Sequence, residues 1–421
     1  MSWLERLVVT GGTRLTGSVK INGAKNAILP LLASSLLSEK RIVLEGVPSL
    51  NDVYTMKEAL ESLGIKIKWE GDTMEVDPSD LQSLELSPSL ARRMRASNLV
   101  MGPLLGRCRK FKVSYPGGCT IGSRPMDLHL KGFSALGAEI TDDHGCITAE
   151  APVLQGADIH LDFPSVGATE NIMMAAVLAQ GTTMIKNAAR EPEIIELQNF
   201  LNKLGARIRG AGTDTIRIDG VKKLNQEISH GVISDRIETG TFMTAAAITG
   251  GEVWINNVIP EHVKAITAKL REAGVSIKEE DDRIFLNSPS RWRAVDIRTM
   301  PYPGFPTDMQ PQMMIFLALA QGTSIITETI FENRYLHVGE LRRMGAQVRV
   351  EGKTAVITGV PQLTGTTVEA TDLRAGAALV VGGLAAENTT VIEGIEHLDR
   401  GYERLENRLS MLGAKIQRQQ K

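Results

Sequence analysis

The chain repeats one pattern of apolar and polar residues six times. In each copy an amphipathic helical stretch stops at a glycine, and a short strand-like segment follows, as in Leu63-Gly64-Ile65 and residues 66–68. Glycine is the residue that most readily adopts the left-handed conformation at the end of a helix. The six glycines lie 68 to 73 residues apart and are Gly64, Gly137, Gly205, Gly274, Gly345 and Gly413.

The residue pattern of one full copy of the repeat predicts four strands and two helices. The phrase Ala179-Gln180-Gly181 in the third copy returns as Ala320-Gln321-Gly322 and Ala386-Glu387-Asn388, each time after a helical run. The order predicted for the third copy is strand 159–161, helix 167–178, strand 182–185, helix 192–204, and a closing pair of strands at 206–209 and 215–218. Leu-Gly-Ala could simply mark helix ends in any α/β protein, but six even spacings favour a repeated β-α-β-α-β-β unit.

Six such units fill nearly the whole chain of 421 residues, which is too long for one ordinary core. We therefore expect a mixed α/β (α+β) fold of two domains with three repeats each. Because ligand sites favour domain interfaces, the active site is expected in the cleft between the domains.

Composition argues against several classes of protein. The hydrophobic share of 43% and the charged share of 23% are typical of a folded globular chain, and a formal charge of −2 argues against nucleic-acid binding. No segment approaches the roughly 20 apolar residues of a membrane span, and residues 1–12 lack an export signal. The cysteines and histidines show no CxxC or HxxxH spacing. We therefore expect a cytoplasmic protein without a disulfide framework, a metal or a cofactor.

The loop at residues 115–125, Tyr-Pro-Gly-Gly-Cys-Thr-Ile-Gly-Ser-Arg-Pro, is the strongest local signal. Pro-Gly-Gly cannot lie inside a helix, so the loop presents Cys119. Arg124 lies five residues further on and would favour the thiolate if it comes close. A single loop cysteine is often incidental, and this pattern alone leaves a catalytic role for Cys119 open.

Two further segments place charged residues where a helix starts. Lys25 and Asn26 follow Gly23 and precede an apolar run, an arrangement suited to binding an anion. Alternatively, Asn26 caps the helix and Lys25 is solvated. Asp308 opens the helical stretch 311–320, where it is either a base or a helix cap.

Five arginines stand beside predicted helix or strand ends. Each alone could be a solvated surface charge. If several meet at one cleft, they would bind a ligand that carries phosphate and carboxylate groups, because the guanidinium fork fits both. They are Arg95, Arg124, Arg334, Arg374 and Arg400.

Together these segments resemble the UDP-N-acetylglucosamine 1-carboxyvinyltransferases, enolpyruvyl transferases of the EPSP synthase superfamily that commit bacteria to peptidoglycan synthesis. The resemblance runs from about residue 7 to residue 416. Its motifs are 23–26 (Gly-Ala-Lys-Asn), 94–97 (Met-Arg-Ala-Ser), 116–119 (Pro-Gly-Gly-Cys) with Arg124, 187–193 (Asn-Ala-Ala-Arg-Glu-Pro-Glu), 235–240 (Asp-Arg-Ile-Glu-Thr-Gly), 305–309 (Phe-Pro-Thr-Asp-Met), 331–334 (Phe-Glu-Asn-Arg), 371–374 (Thr-Asp-Leu-Arg) and 399–404 (Asp-Arg-Gly-Tyr-Glu-Arg).

The resemblance implies two inside-out α/β barrels, each of three β-α-β-α-β-β units. One domain would be residues 25–231, which carry the Cys119 loop. The other would combine residues 1–24 with 232–421, and the active site would lie in the cleft between the two.

The resemblance also implies transfer of the enolpyruvyl group of phosphoenolpyruvate to the 3-hydroxyl of UDP-N-acetylglucosamine, with release of phosphate. Cys119 would protonate the methylene carbon, hold phosphoenolpyruvate as a covalent adduct and be the target of fosfomycin, while Asp308 would take the proton of the hydroxyl. The implied catalytic residues are Cys119, Asp308, Lys25 and Arg400. The implied phosphoenolpyruvate contacts are Lys25, Asn26, Arg124, Arg334, Arg374 and Arg400. The implied UDP-N-acetylglucosamine contacts are Arg95, Arg124, Pro125, Met126, Asp127, Leu128, Ser165, Val166, Gly167, Asp308 and Ile330.

Two positions depart from the family pattern. Phe163-Pro164 stand where many relatives have a basic residue, just before Ser165, and Leu99 stands where many have an aromatic residue. Both departures concern how the nucleotide is bound, not the chemistry.

Two alternatives remain. The chain could be the related enolpyruvyl transferase that acts on shikimate 3-phosphate, although that family does not use a Pro-Gly-Gly-Cys loop. It could also be a paralogue that has lost catalysis and binds or regulates a partner. Intact catalytic motifs disfavour the second alternative, and they contain Lys25, Cys119, Arg124, Asp308 and Arg400.

Overall fold

The computed structural model describes residues 5–93, 95–115 and 126–420, and for Arg95 it describes the backbone only. The described residues form two compact units. Domain A lies within residues 23–233, and domain B consists of residues 5–22 and 234–420. The chain thus begins in domain B, builds domain A, and returns to domain B at Ser234.

The strands, in chain order, are β1 (Glu5–Thr10), β2 (Thr16–Lys20), β3 (Ile42–Glu45), β4 (Lys66–Glu70), β5 (Thr73–Asp77), β6 (Glu85–Leu86), β7 (Lys110–Ser114), β8 (Glu139–Asp143), β9 (Cys146–Glu150), β10 (Asp158–His160), β11 (Thr182–Lys186), β12 (Ile208–Arg209), β13 (Thr215–Asp219), β14 (Ile228–Gly231), β15 (Glu252–Asn256), β16 (Ser276–Glu279), β17 (Arg283–Asn287), β18 (Ile297–Arg298), β19 (Thr323–Thr327), β20 (Gln347–Glu351), β21 (Thr354–Thr358), β22 (Thr367–Glu369), β23 (Thr389–Glu393) and β24 (Lys415–Gln420).

The α-helices, in chain order, are α1 (Lys25–Ser34), α2 (Asn51–Ser62), α3 (Pro88–Arg93), α4 (Met101–Cys108), α5 (Asp127–Ala135), α6 (Val166–Ala176), α7 (Pro192–Leu204), α8 (Arg236–Ile248), α9 (Lys264–Ala273), α10 (Gln310–Leu317), α11 (Val338–Arg343), α12 (Leu373–Ala385) and α13 (Leu405–Met411). Short 3-10 helices precede several of them. Among the described residues, no helix is both long and apolar enough to cross a bilayer.

The described residues form six four-stranded sheets that share one strand order. In each sheet the first two strands of the repeat are parallel, the fourth strand pairs antiparallel with the second, and the third strand lies beyond the fourth. The sheets of domain A are β14-β3-β5-β4, β6-β7-β9-β8 and β10-β11-β13-β12. Those of domain B are β16-β17-β15-β2, β18-β19-β21-β20 and β22-β23-β1-β24.

One helix of each repeat is buried at the centre of its domain. In domain B, α8, α10 and α12 pack against one another, and in domain A, α4 packs against α6. The sequence permits this because these helices are apolar or small on every side. In α12, for example, all residues from Arg374 to Leu384 are buried. With helices inside and sheets outside, each domain is an inside-out α/β barrel of three repeats.

The third repeat has the predicted order of elements. The predicted helix at residues 192–204 coincides with α7, and the predicted strand at 182–185 is β11 with one further residue. The predicted helix 167–178 is longer than α6, which ends at Ala176, and of the predicted strand 206–209 only β12 pairs with its neighbour. All six repeat glycines have positive φ, between 92° and 111°, which confirms their predicted role at helix ends.

Other glycines allow the chain after a strand to pack closely against the segment that follows a central helix. Gly220 and Gly359 follow the last strand of the third and fifth repeats. A Cβ atom on Gly220 would lie 1.7 Å from the carbonyl oxygen of Ala179, and one on Gly359 would lie 1.7 Å from that of Ala320. Both alanines begin the recurring phrase noted in the sequence, so the phrase marks a backbone contact that only glycine permits.

We predict that Gly359→Ala destabilises the protein by about 3 kcal/mol, because neither backbone segment can move away without disturbing its sheet. Gly339→Ala is the matched control, since a Cβ atom there meets nothing within 4 Å. It should change the free energy of unfolding by less than about 1 kcal/mol. Urea unfolding of both variants measures the difference, and equal stability of the two would contradict the prediction.

Candidate active site

The predicted site residues Cys119, Arg124 and Pro125 lie outside the described residues, as does the side chain of Arg95. Their predicted roles therefore remain predictions. The other predicted residues fall into two groups, one in each domain.

In domain B, two arginines bind the carboxylate of Asp308. Arg334 Nη2 donates to Asp308 Oδ1 at 3.1 Å, and Arg374 donates to Oδ2 from Nη2 at 3.0 Å and from Nε at 3.2 Å. Each carboxylate oxygen therefore accepts at least one charge-assisted hydrogen bond. The two guanidinium groups fix the orientation of the carboxylate from two different segments of the chain.

Helix starts place Asp308 and Arg374, whereas Arg334 lies in the turn that precedes α11. Asp308 lies in the 3-10 helix Thr307–Met309 directly before α10, and no side chain caps either helix start there. The alternative in which Asp308 caps the helix is therefore wrong. Arg374 lies in the first turn of α12, which the carboxylate of Asp372 caps by accepting from the backbone N–H groups of Arg374 and Ala375.

Both arginines are almost fully buried, with exposed fractions of 2% for Arg334 and 1% for Arg374. The alternative in which they are solvated surface charges is therefore wrong for these two. Burial alone would lower the pKa of Arg374, but the neighbouring Tyr402 and Asp308 outweigh burial and raise it. Burial lowers the pKa of His337 to about 4 against the opposing effect of Asp372, so this imidazole adds no further positive charge beside Arg334.

Tyr402 orients Arg374 by binding Nη1, the guanidinium nitrogen that does not donate to Asp308. Its hydroxyl lies 3.1 Å from Arg374 Nη1, 3.2 Å from Gln312 Nε2 and 2.9 Å from Thr241 Oγ1. The phenol is 1% exposed, and the guanidinium carbon lies 5.4 Å from the centre of its ring. Residues of three repeats thus meet at one hydroxyl, and they hold Arg374 in the orientation that binds Asp308.

Glu328 is a further buried residue that sequence reasoning missed. Its Oε2 accepts from the hydroxyl of Thr307 at 3.0 Å, and its Oε1 accepts from the backbone N–H of Ile330 at 2.8 Å. It therefore holds both the segment that carries Asp308 and the predicted nucleotide contact Ile330. A glutamate directly after a strand is the one sequence signal that could have drawn attention to it. Arg400 lies in the same domain, in the 3-10 helix Leu398–Arg400.

In domain A, Lys25 is the first residue of α1, and its Nζ lies 3.1 Å from Asp52 Oδ2. The side chains are 10% and 5% exposed. The alternative with a solvated Lys25 and a capping Asn26 is therefore wrong, because Lys25 is buried and no side chain caps the helix. Asn26 follows in the first turn of α1.

The start of α5 packs against the start of α6. His129 Nδ1 lies 3.0 Å from Asn171 Nδ2, and a Cβ atom on Gly167 would lie 3.2 Å from His129 Cε1. This contact brings together two predicted nucleotide-binding segments, Met126, Asp127 and Leu128 at the start of α5 and Ser165, Val166 and Gly167 at the start of α6. The side chain of Ser165 caps α6 by accepting from the N–H of Ala168. Sequence reasoning did not single out His129.

The two positions that depart from the family pattern, Phe163-Pro164 and Leu99, lie within the described residues. Phe163 is 44% exposed, whereas Leu99 is buried in the core of domain A.

Over residues 5–93, 95–115 and 126–420, no group of three or more His, Cys, Asp or Glu side chains is arranged to hold a metal ion.

Residues 9–409 match the family model described as EPSP synthase (3-phosphoshikimate 1-carboxyvinyltransferase). The chain is 56% identical to UDP-N-acetylglucosamine 1-carboxyvinyltransferase 1 of Caldanaerobacter subterraneus over 98% of its length and 99% of the relative. It is 55% identical to UDP-N-acetylglucosamine 1-carboxyvinyltransferase 2 of Carboxydothermus hydrogenoformans over 99% of each chain.

Two solved structures share the fold. The enolpyruvyl transferase NikO from Streptomyces tendae matches over the full length of both chains with a TM-score of 0.89 at 24% identity. An EPSP synthase from Acinetobacter baumannii matches over 99% of this chain and 100% of its own with a TM-score of 0.77 at 19% identity. The fold and the family model thus define the class as the enolpyruvyl transferases. Within that class, the chain belongs to the family of UDP-N-acetylglucosamine 1-carboxyvinyltransferases.

We predict that Tyr402→Phe lowers turnover about 10-fold, because it removes one hydrogen bond to the charged Arg374 while the aromatic ring stays in place. The matched control is Tyr335→Phe, because the Tyr335 hydroxyl lies near backbone oxygens, 2.9 Å from that of Ile326 and 3.1 Å from that of Lys353. Steady-state kinetics of both variants measures the effect. Equal turnover numbers for Tyr402→Phe and the wild type would contradict this role for the hydroxyl.

Proposed function

We propose that the chain transfers the enolpyruvyl group of phosphoenolpyruvate to the 3-hydroxyl of UDP-N-acetylglucosamine and releases inorganic phosphate. The observation that carries this proposal is the near-full-length identity of 54–56% to curated proteins named for this activity. The geometry around Asp308, Arg334 and Arg374 supports it, because these residues offer a carboxylate as base and fixed positive charges, both of which the reaction needs.

The reaction proceeds by addition and elimination. A proton added to the methylene carbon of phosphoenolpyruvate leaves the adjacent carbon cationic. The sugar hydroxyl attacks this carbon and loses its proton to a base, which gives a tetrahedral ketal that carries both the phosphate and the sugar. Loss of phosphate and of one proton from the new methyl group restores the double bond in the product. The site must therefore supply an acid, a base and cations for two anionic groups.

Asp308 is the proposed base. A hydroxyl proton is transferred only across a short, aligned hydrogen bond, so the carboxylate must be held in one orientation. Arg334 and Arg374 provide that orientation, and Tyr402 and Thr307 fix the two arginines through a hydroxyl and a backbone oxygen.

Cys119 is the proposed acid, and it also forms the covalent adduct with phosphoenolpyruvate. Its support is the Pro-Gly-Gly-Cys motif that the family shares, with Arg124 five residues on to favour the thiolate. By the same reasoning Cys119 is the residue that fosfomycin modifies. Closure of its loop over bound substrate would exclude water from the cationic intermediate.

Phosphoenolpyruvate is proposed to contact residues of both domains. Lys25 and Asn26 belong to domain A, and Arg334, Arg374 and Arg400 belong to domain B. Arg334 and Arg374 also bind Asp308, so in this proposal each guanidinium serves both the substrate and that carboxylate. We propose that these groups and Arg124 together bind the phosphate and carboxylate of the substrate.

UDP-N-acetylglucosamine is proposed to contact the starts of α5 and α6. Backbone N–H groups at a helix start suit the diphosphate, and the contact between His129 and Asn171 joins the two helices. The proposed contacts are Arg95, Arg124, Pro125, Met126, Asp127, Leu128, Ser165, Val166, Gly167, Asp308 and Ile330. With this substrate, the reaction would be the first committed step of peptidoglycan synthesis in the cytoplasm.

We predict phosphate release when the purified protein is mixed with phosphoenolpyruvate and UDP-N-acetylglucosamine. Shikimate 3-phosphate in place of the nucleotide sugar should give no release above background, because the nucleotide-binding segments at α5 and α6 have no counterpart to contact on that substrate. A colorimetric phosphate assay with each acceptor checks both statements. Release with shikimate 3-phosphate alone would establish the alternative activity, and no release with either acceptor would indicate a paralogue without catalysis.

A further inference from the structure

Glu328, the residue directly after β19, accepts four hydrogen bonds in the interior of domain B. It is 1% exposed. Its Oε1 accepts from the hydroxyl of Thr299 at 2.8 Å and from the backbone N–H groups of Ile330 at 2.8 Å and Phe331 at 3.2 Å. Its Oε2 accepts from the hydroxyl of Thr307 at 3.0 Å. All four partners can donate, as the acceptor oxygens of a carboxylate require.

Four other repeats place a different kind of residue at the position of Glu328, directly after the second strand. These residues are Gly or Asn with φ between 54° and 73°, a left-handed conformation that Glu328 does not share. Asn187 Nδ2 donates to the backbone oxygen of Leu161 at 2.7 Å. Asn257 Nδ2 donates likewise to that of Ile21 at 2.7 Å. The four residues are Gly46, Asn187, Asn257 and Gly394.

Thr299, a hydroxyl partner of Glu328, departs from the same four repeats. Its backbone N–H donates to the oxygen of the last residue of β19, and the residues that make this contact in the four repeats have apolar side chains. They are Ile21, Leu161, Val232 and Ala370. The Thr299 hydroxyl donates to Glu328 and accepts from the backbone N–H of Thr329 at 2.9 Å. Because a buried carboxylate is costly and four repeats form this turn without one, we expect Thr299 and Glu328 to serve a task particular to the fifth repeat.

The fifth repeat is the one that carries Asp308. Thr307 directly precedes Asp308 and is bound twice, since its hydroxyl donates to Glu328 and its backbone oxygen accepts from Arg334 Nε at 3.3 Å. The other oxygen of Glu328 binds the backbone of residues 330–331, a few positions before Arg334, and Arg334 Nη2 donates to Asp308. One carboxyl group therefore connects the segment that carries Asp308 with the segment that carries one of its two arginines.

We propose that Glu328 is a positioning residue for Asp308, which it orients through Thr307 and through the segment 330–334. This inference rests on the proposed function, in which Asp308 takes the proton of the sugar hydroxyl. Glu328 acts through its neighbours and does not itself accept that proton. Since the proton is transferred only across a short, aligned hydrogen bond, a less firmly held Asp308 reaches the required alignment less often. Loss of the contact should therefore slow the chemical step more than it weakens substrate binding.

Thr307→Val tests the inference, because it removes the hydroxyl that joins Glu328 to the segment of Asp308 and leaves the contacts of Ile330 in place. Product formation in a single turnover at saturating substrate should slow about 10-fold, the scale of one lost hydrogen bond to a charged group. The steady-state KM values of both substrates should stay within about twofold of the wild type.

Thr182→Val on β11 is the matched control. Its hydroxyl also donates to a carboxylate, that of Asp219 at 2.8 Å, but at an exposed position of domain A. This variant should keep the wild-type rate of product formation and both wild-type KM values.

Variants of Glu328 show whether its hydrogen bonds position the base. Glu328→Ala should slow product formation at least as much as Thr307→Val. Glu328→Gln should slow it by less than about threefold, because the amide oxygen can still accept from the backbone N–H groups and the amide nitrogen can donate to the Thr307 hydroxyl. If Glu328→Ala does not fold, Thr307→Val and Glu328→Gln still carry the comparison.

A double variant separates positioning of the base from a general loss of structure. In an Asp308→Asn background the base is already absent, so Thr307→Val should slow the remaining product formation by less than about twofold. A further 10-fold loss in that background, a wild-type rate for Thr307→Val alone, or raised KM values at an unchanged rate would each overturn the inference. An inactive wild type would overturn the proposed function as well, whereas an active wild type with an unaffected Thr307→Val variant would overturn only the inference.

Discussion

In domain B, one carboxylate binds two buried guanidinium groups and offsets part of their positive charge. Arg334 and Arg374 are almost entirely removed from water, and such charges are costly unless an opposite charge and further hydrogen bonds accompany them. Asp308 supplies the opposite charge, while Tyr402 and the backbone oxygen of Thr307 satisfy further donors. The same contacts that make this burial tolerable leave the carboxylate with one orientation. A proton acceptor that must face a hydroxyl needs such an orientation.

The architecture explains why several candidate site residues lie at helix starts. Inside-out barrels bury one apolar helix of each repeat, and several polar residues of the candidate site stand at the starts of these helices. Lys25 begins α1, Ser165 caps α6, Asp308 directly precedes α10 and Arg374 lies in the first turn of α12. Helix starts present unpaired N–H groups and a partial positive charge, which suits phosphate and carboxylate ligands. One repeated unit thus places polar or charged residues at helix starts in both domains.

The sequence predicts much of this fold, because its signals are local. A glycine after an amphipathic helix specifies a helix end wherever it occurs, and all six repeat glycines have the expected positive φ. Pairings between distant parts of the chain have no such local signal. In the sheet of the first repeat, β3 pairs with β14, which lies far along the chain. Likewise, β1 pairs with β23 and β24 at the other end of the chain. Only the resemblance to a known family indicated that the chain leaves one domain and returns to it.

The same distinction holds for the candidate site. Asp308, Arg334 and Arg374 stand out in family motifs, but their mutual contacts depend on two helix starts and one turn converging in space. The motifs therefore did not show that the arginines are buried, nor that Glu328 and His129 hold neighbouring segments in place. A motif names residue types, whereas burial and hydrogen-bond partners depend on the packing of elements far apart in the sequence.

The most direct test of this account is Asp308→Asn, which keeps the shape of the side chain and removes its charge. Product formation in a single turnover should fall at least about 100-fold, the lower scale of general-base catalysis. The free energy of unfolding, measured on the same sample, should fall by about 3 kcal/mol because two buried guanidinium groups lose their counter-charge. A variant with wild-type stability and wild-type product formation would contradict the claim that one carboxylate performs both tasks.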